Sequence, residues 1–131
     1  MKIYRRTNGI KAILQKATES DLIWAEREFP EDLMLPTLSE MDSWMLIIND
    51  EYFGFIEYLT RDSEMTVTGL WVRPDKRGNG YGTMMLELAE VSEKPDIIRV
   101  ITTPRSEGFY AKRGYAPDFG MKILTKVCEY D

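Results

Sequence analysis

The chain is 131 residues long, 44% hydrophobic and 30% charged, with a formal net charge of −5, one cysteine and no histidine. A single domain, residues 1–131, is expected, large enough to bury a core without disulfide or metal support. An intrachain disulfide and a Cys/His zinc site are excluded, no metal is expected, and the acidic balance speaks against nucleic acid, whose nonspecific affinity comes from Lys and Arg neutralising phosphate.

Met1–Asn8, with Lys2, Arg5 and Arg6, matches no element pattern. Ile10–Ala17 reads as an opening strand, and Thr18 with Asp21 resembles a reciprocal cap for a helix ending near Pro30. Pro30–Pro36 is irregular, and a second, short helix is expected over Thr37–Asp42. Trp44–Ile48 and Tyr52–Leu59 read as an antiparallel hairpin about Asn49-Asp50-Glu51. After a polar loop, Thr60–Glu64, a third strand runs from Met65 to Arg73, where Pro74-Asp75 favours a turn. The clearest apolar run, Trp44–Ile48, is far too short to cross a bilayer, and the N-terminus lacks the apolar core of a secretory signal. No membrane partner and a cytoplasmic setting are therefore expected.

Leu70–Val91 is the most informative segment. From Tyr81, the apolar residues Tyr81, Met84, Met85, Leu88 and Val91 recur at helical spacing, which places Gly78, Gly80 and Gly82 at a helix start. A glycine inside a helix costs roughly 1 kcal/mol relative to alanine, so glycines on alternate positions need a reason. One reason is close approach of a ligand, since a helix start carries unpaired N–H donors and partial positive charge suited to a diphosphate. The other is a merely flexible loop. A P-loop needs Gly-Lys-Ser/Thr, which is absent, and a dinucleotide turn needs G-x-G-x-x-G, whereas the spacing here is Gly78-x-Gly80-x-Gly82.

Ile97–Ile101 is a β-branched strand, followed by Thr103 as helix N-cap with Pro104 in the first position. That helix runs through Gly108–Arg113 and stops at Gly114; Tyr115 and Met121–Cys128 supply closing strands around a Pro117-Asp118 turn. Charge is uneven along the chain. Glu19, Asp21, Glu26, Glu28, Glu31, Asp32, Glu40 and Asp42 stand against Arg27 alone, while Arg73, Lys76 and Arg77 surround the glycine turn and Arg105, Lys112 and Arg113 lie on the second motif's helix. This is either a solvated face, or a basic end for an anionic ligand and an acidic end for a cationic one. The order of elements is an α+β pattern rather than repeated βαβ units.

Arg77-Gly78-Asn79-Gly80-Tyr81-Gly82 fits [RQ]-x-x-G-x-[GA], and closely resembles the coenzyme A signature of the GNAT N-acetyltransferase superfamily. Val72-Arg73-Pro74 supplies the V-x-P typical of that family, and Gly108–Tyr115 resembles its F-Y-x-x-x-G-F segment with Tyr115 for the final Phe. The resemblance covers nearly the full length. It implies the GNAT fold, a mixed, mostly antiparallel sheet of six to seven strands flanked by about four helices, with the family's fourth and fifth strands splayed into a V around the pantetheine arm. It implies acetyl-coenzyme A as cosubstrate, a primary amine of a small molecule or peptide as acceptor, and direct attack on the thioester. The backbones of Leu70 and Val72, flanking Trp71, would bond the pantetheine amides, and Arg77, Gly78, Asn79, Gly80, Tyr81, Gly82 and Thr83 would bind the pyrophosphate. Tyr110 would protonate the departing thiolate; the alternative is a core aromatic with its hydroxyl at the surface. The N-terminal helices would form the acceptor pocket, and their charge suits a cationic amine. A monomer or homodimer is expected.

The chain also departs from the family's pattern. In several relatives a fourth-strand glutamate takes the proton of the amine, and the matching position here is Thr66. Nearby carboxylates are Glu64, expected in the loop, and Glu57, which alternates with Phe53, Phe55 and Leu59. Glu57 is then either a carboxylate among apolar neighbours, suited to a base, or a strand-edge glutamate facing solvent or pairing with a lysine. A water chain is a third proton path. Where many relatives have an asparagine after the fifth strand, Thr103, Pro104 and Ser106 fill the region, and Ser106 is the candidate substitute. Trp24, Trp44 and Trp71 read as core and Cys128 as an inert buried thiol. The missing glutamate keeps a second reading open, a noncatalytic acyl-coenzyme A binding or interaction module of the same fold.

Overall fold

Short-range rules set the first half of the chain. Thr18 and Asp21 cap a helix reciprocally: the Thr18 N–H donates to Asp21 Oδ2 at 2.9 Å and the Asp21 N–H to Thr18 Oγ1 at 3.2 Å. Asn49 and Asp50 have φ of 51° and 63°, and Asp62 and Ser63 have φ of 51° and 64°. Positive φ at both central residues is the pattern of tight hairpin turns whose twist matches that of the strands, and Asn and Asp tolerate it best. The expected loop over Thr60–Glu64 therefore contracts to Asp62-Ser63, with strand on either side.

The computed structural model describes residues 2–7, 10–28, 41–102, 106–117 and 123–129. Its strands are β1 (Lys2–Thr7), β2 (Ile10–Lys16), β3 (Asp42–Ile48), β4 (Glu51–Arg61), β5 (Glu64–Val72), β6 (Ile97–Ile101), β7 (Ala116–Pro117) and β8 (Ile123–Val127), and its helices are α1 (Glu19–Glu28), α2 (Tyr81–Glu93) and α3 (Glu107–Ala111). They form one sheet in the order β1-β2-β3-β4-β5-β6-β8-β7, antiparallel everywhere except between β5 and β6. The sheet gains a strand over expectation because Lys2–Thr7, which has no legible pattern of its own, pairs with Ile10–Gln15. Most of the expected helix at Thr37–Asp42 lies outside the described residues, and Asp42 itself opens β3. The expected caps at Thr103 and Pro104 and the turn residue Asp118 also lie outside them.

Apolar residues cover both faces of the sheet. One face, carrying Leu46, Ile56, Tyr58, Met65 and Ile98, packs with Met84, Met85 and Ala89 of α2. Burial of such side chains contributes about 1.5–3 kcal/mol each, which makes this the main stabilising layer. A polar thread crosses it: Trp44 Nε1 donates to the Tyr58 hydroxyl at 3.0 Å, and that hydroxyl donates to Glu93 Oε1 at 3.0 Å, pinning the end of α2 to the sheet. The other face brings Met45, Phe55 and Trp71 against Ala25 of α1, with Leu22 and Trp24 at its border.

Two register slips shape the middle of the sheet. Between β3 and β4 the slip makes Phe53 an extra residue, and it packs on Tyr81 at 5.3 Å while Phe55 goes to the opposite core. Between β4 and β5, Glu57 opposes Gly69 and Tyr58 opposes Val67, so Thr68 is the extra residue. β5 pairs with β6 only from Glu64↔Ile97 to Val67↔Val100. Past Val67 the two strands part, which is the V expected of the family's fourth and fifth strands.

Candidate functional site

The inner edge of the V is backbone. The Arg73 N–H donates to the Phe53 carbonyl at 2.8 Å, so alternation along β5 turns the backbone groups of Leu70 and Val72 away from β4 and toward the cleft. A cavity of about 450 Å³ occupies that cleft, lined by β5 from Val67 to Val72, by the glycine turn, and by Ile101, Ser106, Phe109 and Tyr110 on the other side. Leu70, Trp71, Val72, Arg77, Gly78, Gly80, Tyr81, Gly82, Ser106 and Tyr110 are thus brought together as expected, whereas Asn79 and Thr83 are absent from the wall.

The turn at the mouth is built from local geometry. Pro74–Lys76 make one 3₁₀ turn, and Gly78 and Gly80 follow with φ of 81° and 84°. Nothing lies within 4 Å of a Cβ at either glycine, so both are required by left-handed backbone and not by crowding. Asn79 holds the turn from outside, its Nδ2 donating to the Lys76 carbonyl at 3.0 Å. Gly82 has a different reason. A Cβ there would lie 3.1 Å from Phe109 Cζ and 3.7 Å from Val72 Cγ2, so its lack of a side chain lets α3 pack on α2.

Cations gather at this mouth. Lys76, Arg77 and Arg113 line the cavity, and no Asp or Glu does among the described residues. Arg77 Nε donates to the Val72 carbonyl at 2.8 Å. Arg113 lies with its Cζ 3.7 Å from the Phe109 ring centroid, Nε donating to Thr83 Oγ1 at 2.5 Å and Nη1 to the Phe109 carbonyl at 2.6 Å. The site thus uses Thr83 to hold Arg113. Lys76 and Arg113 count among the basic residues near the two motifs but are not legible as wall residues; Arg113 lies in the turn after α3.

Tyr110 is 5% exposed and faces β5 across the cavity. Phe109 at 5.1 Å and Tyr115 at 5.5 Å meet its ring edge to face, which fixes its orientation. Gly114, with φ of 89°, ends the turn after α3, and the Tyr115 N–H returns to the Tyr110 carbonyl at 3.3 Å. Burial, with the charge of Glu90 adding to it, raises the Tyr115 hydroxyl pKa above its ordinary value.

Glu57 is neither on the surface nor on the cavity wall. It is 0% exposed in β4, with Thr68 Oγ1 donating to its Oε1 at 2.9 Å and Ser43 Oγ to its Oε2 at 3.1 Å. The solvent-facing reading is therefore corrected: β3 and β5 flank β4 on both sides, so Glu57 is not on a sheet edge. Phe55 and Leu59 alternate with it along β4, while the slip sends Phe53 to the other core. Glu64 opens β5 instead of lying in a loop, and pairs with Arg99.

The acetyltransferase (GNAT) domain family matches residues 40–117. No curated protein matches the chain. Among solved structures, Tetrahymena GCN5 aligns with a TM-score of 0.72 at 14% identity, covering 88% of this chain and 96% of that one. PaiA N-acetyltransferase from Thermoplasma acidophilum, in complex with coenzyme A, aligns with a TM-score of 0.62 at 18% identity over 85% of this chain and 72% of that one. N-acetylglutamate synthase from Neisseria gonorrhoeae, complexed with coenzyme A and L-arginine, aligns with a TM-score of 0.70 at 16% identity over 91% of this chain and 34% of that one.

Proposed function

The chain belongs to the GNAT acetyltransferase family, and from that premise we propose that it moves the acetyl group of acetyl-coenzyme A to a primary amine of a small molecule or peptide. The observation that carries this reading is the continuous path from the unpaired edge of β5 to the start of α2. An amide-bearing arm adds to the strand edge that β6 leaves past Val67 as another strand would, and Leu70 and the Val72 N–H face it, the Val72 carbonyl being held by Arg77 Nε. Ser106, on the facing wall, is the candidate side-chain contact to that arm. A diphosphate at the end of the arm meets the free N–H groups of the first turn of α2 and the side chains of Lys76, Arg77 and Arg113.

Transfer to an amine needs a neutral nucleophile and an acid for the leaving thiolate. An alkyl ammonium with a pKa of about 10 has first to lose a proton. Tyr110, held by its two aromatic neighbours on the wall opposite β5, is the candidate acid. For the acceptor, the exposed Glu19, Glu26 and Glu28 of α1 favour a cationic amine, while Asp21 is taken up by the helix cap and the Tyr52 hydroxyl. Incubating the protein with acetyl-coenzyme A and a panel of amines while following free thiol tests the whole reading. Amine-dependent release supports it; coenzyme A binding without release from any amine favours the noncatalytic module.

A further inference from the structure

A carboxylate that is 0% exposed at the centre of a sheet is costly, and replacing such a group by apolar side chains is often neutral or stabilising. Glu57 is nevertheless built in with care. Ser43 lies opposite it on β3 and Gly69 opposite it on β5, and the register slip next to Gly69 turns the extra residue, Thr68, so that its hydroxyl meets Glu57 Oε1 at 2.9 Å, the shorter of two contacts, the other being to the Glu57 carbonyl at 3.3 Å. Ser43 Oγ holds the other oxygen at 3.1 Å. Glu57 does not reach the cavity, but Thr68 does, in the part of the wall beyond the last paired residue of β6.

We propose that Thr68 and Glu57 form a two-residue proton relay for the acceptor amine, with Ser43 as the positioning residue that orients the carboxylate. The relay rests on the acetyl-transfer reading above. A hydroxyl that donates to Glu57 still has lone pairs to accept with, so an ammonium at the cavity wall can donate to Thr68 Oγ1. The ammonium N–H bond breaks as its proton joins Thr68 Oγ1, and the original Thr68 hydroxyl proton passes to Glu57 Oε1. The products are a neutral amine, an unchanged threonine and a neutral Glu57 carboxylic acid. Attack on the thioester then yields amide and thiol, and Glu57 returns its proton to solvent by the same route, which accounts for the one proton released per turnover. Thr68 thus does what a glutamate at Thr66 cannot do here, by giving the cavity access to a carboxylate one strand away.

The test is a set of variants assayed for amine-dependent thiol release: Thr68→Val, Thr68→Ser, Glu57→Gln and the Thr68→Val/Glu57→Gln double variant. Thr68→Val is expected to lower kcat by about 10²–10⁴-fold with the KM for acetyl-coenzyme A nearly unchanged, and Thr68→Ser to restore most of the rate. Because the two residues act as one unit, the double variant should be no slower than the slower single variant. Wild-type turnover with an unaffected Thr68→Val rate, failure of Thr68→Ser to rescue in a folded protein, or multiplicative losses in the double variant would each overturn the relay alone. If wild-type protein releases no thiol with any amine, the acetyl-transfer reading falls and the relay with it.

Discussion

Phe109 stands where a side chain on Gly82 would have to go, its Cζ 3.1 Å from the position of that Cβ. The same ring carries Arg113 on its face and touches Tyr110 at its edge, so the contact between α2 and α3 aligns both a cation and the candidate acid with the cleft. Gly82→Val should therefore act through packing. Overpacking of this kind costs about 1–3 kcal/mol, and displacement of Phe109 should weaken coenzyme A binding as well as lower Tm. Gly78→Ala meets no such neighbour and should cost about 1–2 kcal/mol from its left-handed backbone alone. Thermal unfolding and calorimetric titration with coenzyme A check both; a Gly82→Val protein with wild-type Tm and affinity would show that Phe109 has room to move.

Tyr110→Phe keeps the ring and its contacts with Phe109 and Tyr115 and removes only the hydroxyl. If that hydroxyl protonates the thiolate, kcat should fall by about 10²–10⁴-fold with little change in coenzyme A affinity or Tm. Steady-state kinetics with calorimetry separates this from a packing role, which predicts preserved kcat in a less stable protein.

Alkaline pH should destabilise the fold. Burial, reinforced by the neighbouring Glu93 and Glu90 charges, holds the Tyr58 and Tyr115 hydroxyls protonated above the ordinary tyrosine pKa, and the hydrogen bond to Asp21 does the same for Tyr52. The unfolded chain releases these protons near pH 10, so above about that pH it binds fewer protons than the native state. The sign follows: this stability is fully present below about pH 10 and is lost as pH rises beyond it. Urea unfolding between about pH 8 and pH 11 measures it, and Tyr58→Phe should flatten the slope. A stability that stays level or rises through that range would contradict the assignment.

The acceptor is expected to be cationic. The Debye length falls from about 10 Å at 0.1 M salt to about 3 Å at 1 M, so attraction to the exposed carboxylates of α1 should be screened and the KM of a cationic acceptor should rise with salt. Turnover of cationic, neutral and anionic amines at two salt concentrations decides this. A salt-insensitive preference for neutral or anionic acceptors would leave Glu19, Glu26 and Glu28 as an ordinary solvated surface.

Whatever depends on neighbours a few residues away was determined by the sequence itself. Thr18 with Asp21 and the Asn49-Asp50 turn answer to local backbone sterics and hydrogen bonding and are found where those rules put them, while α3 ends at Ala111, before the expected stop, and Gly114 closes the turn that follows it. Short signature segments likewise made the family and the cleft legible, because the turn and the start of α2 are contiguous in the chain. Pairing between distant strands follows no such rule. Lys2–Thr7 became a strand because Ile10–Gln15 offered it an edge, and the slips at Phe53 and Thr68 decided which face each side chain took. The strands on either side of β4 bury Glu57, and the one-residue slip in β5 brings the Thr68 hydroxyl to its carboxylate. Gly82 carries the same lesson, since its partner, Phe109, comes from another helix and only the packing of α3 on α2 reveals why no side chain fits.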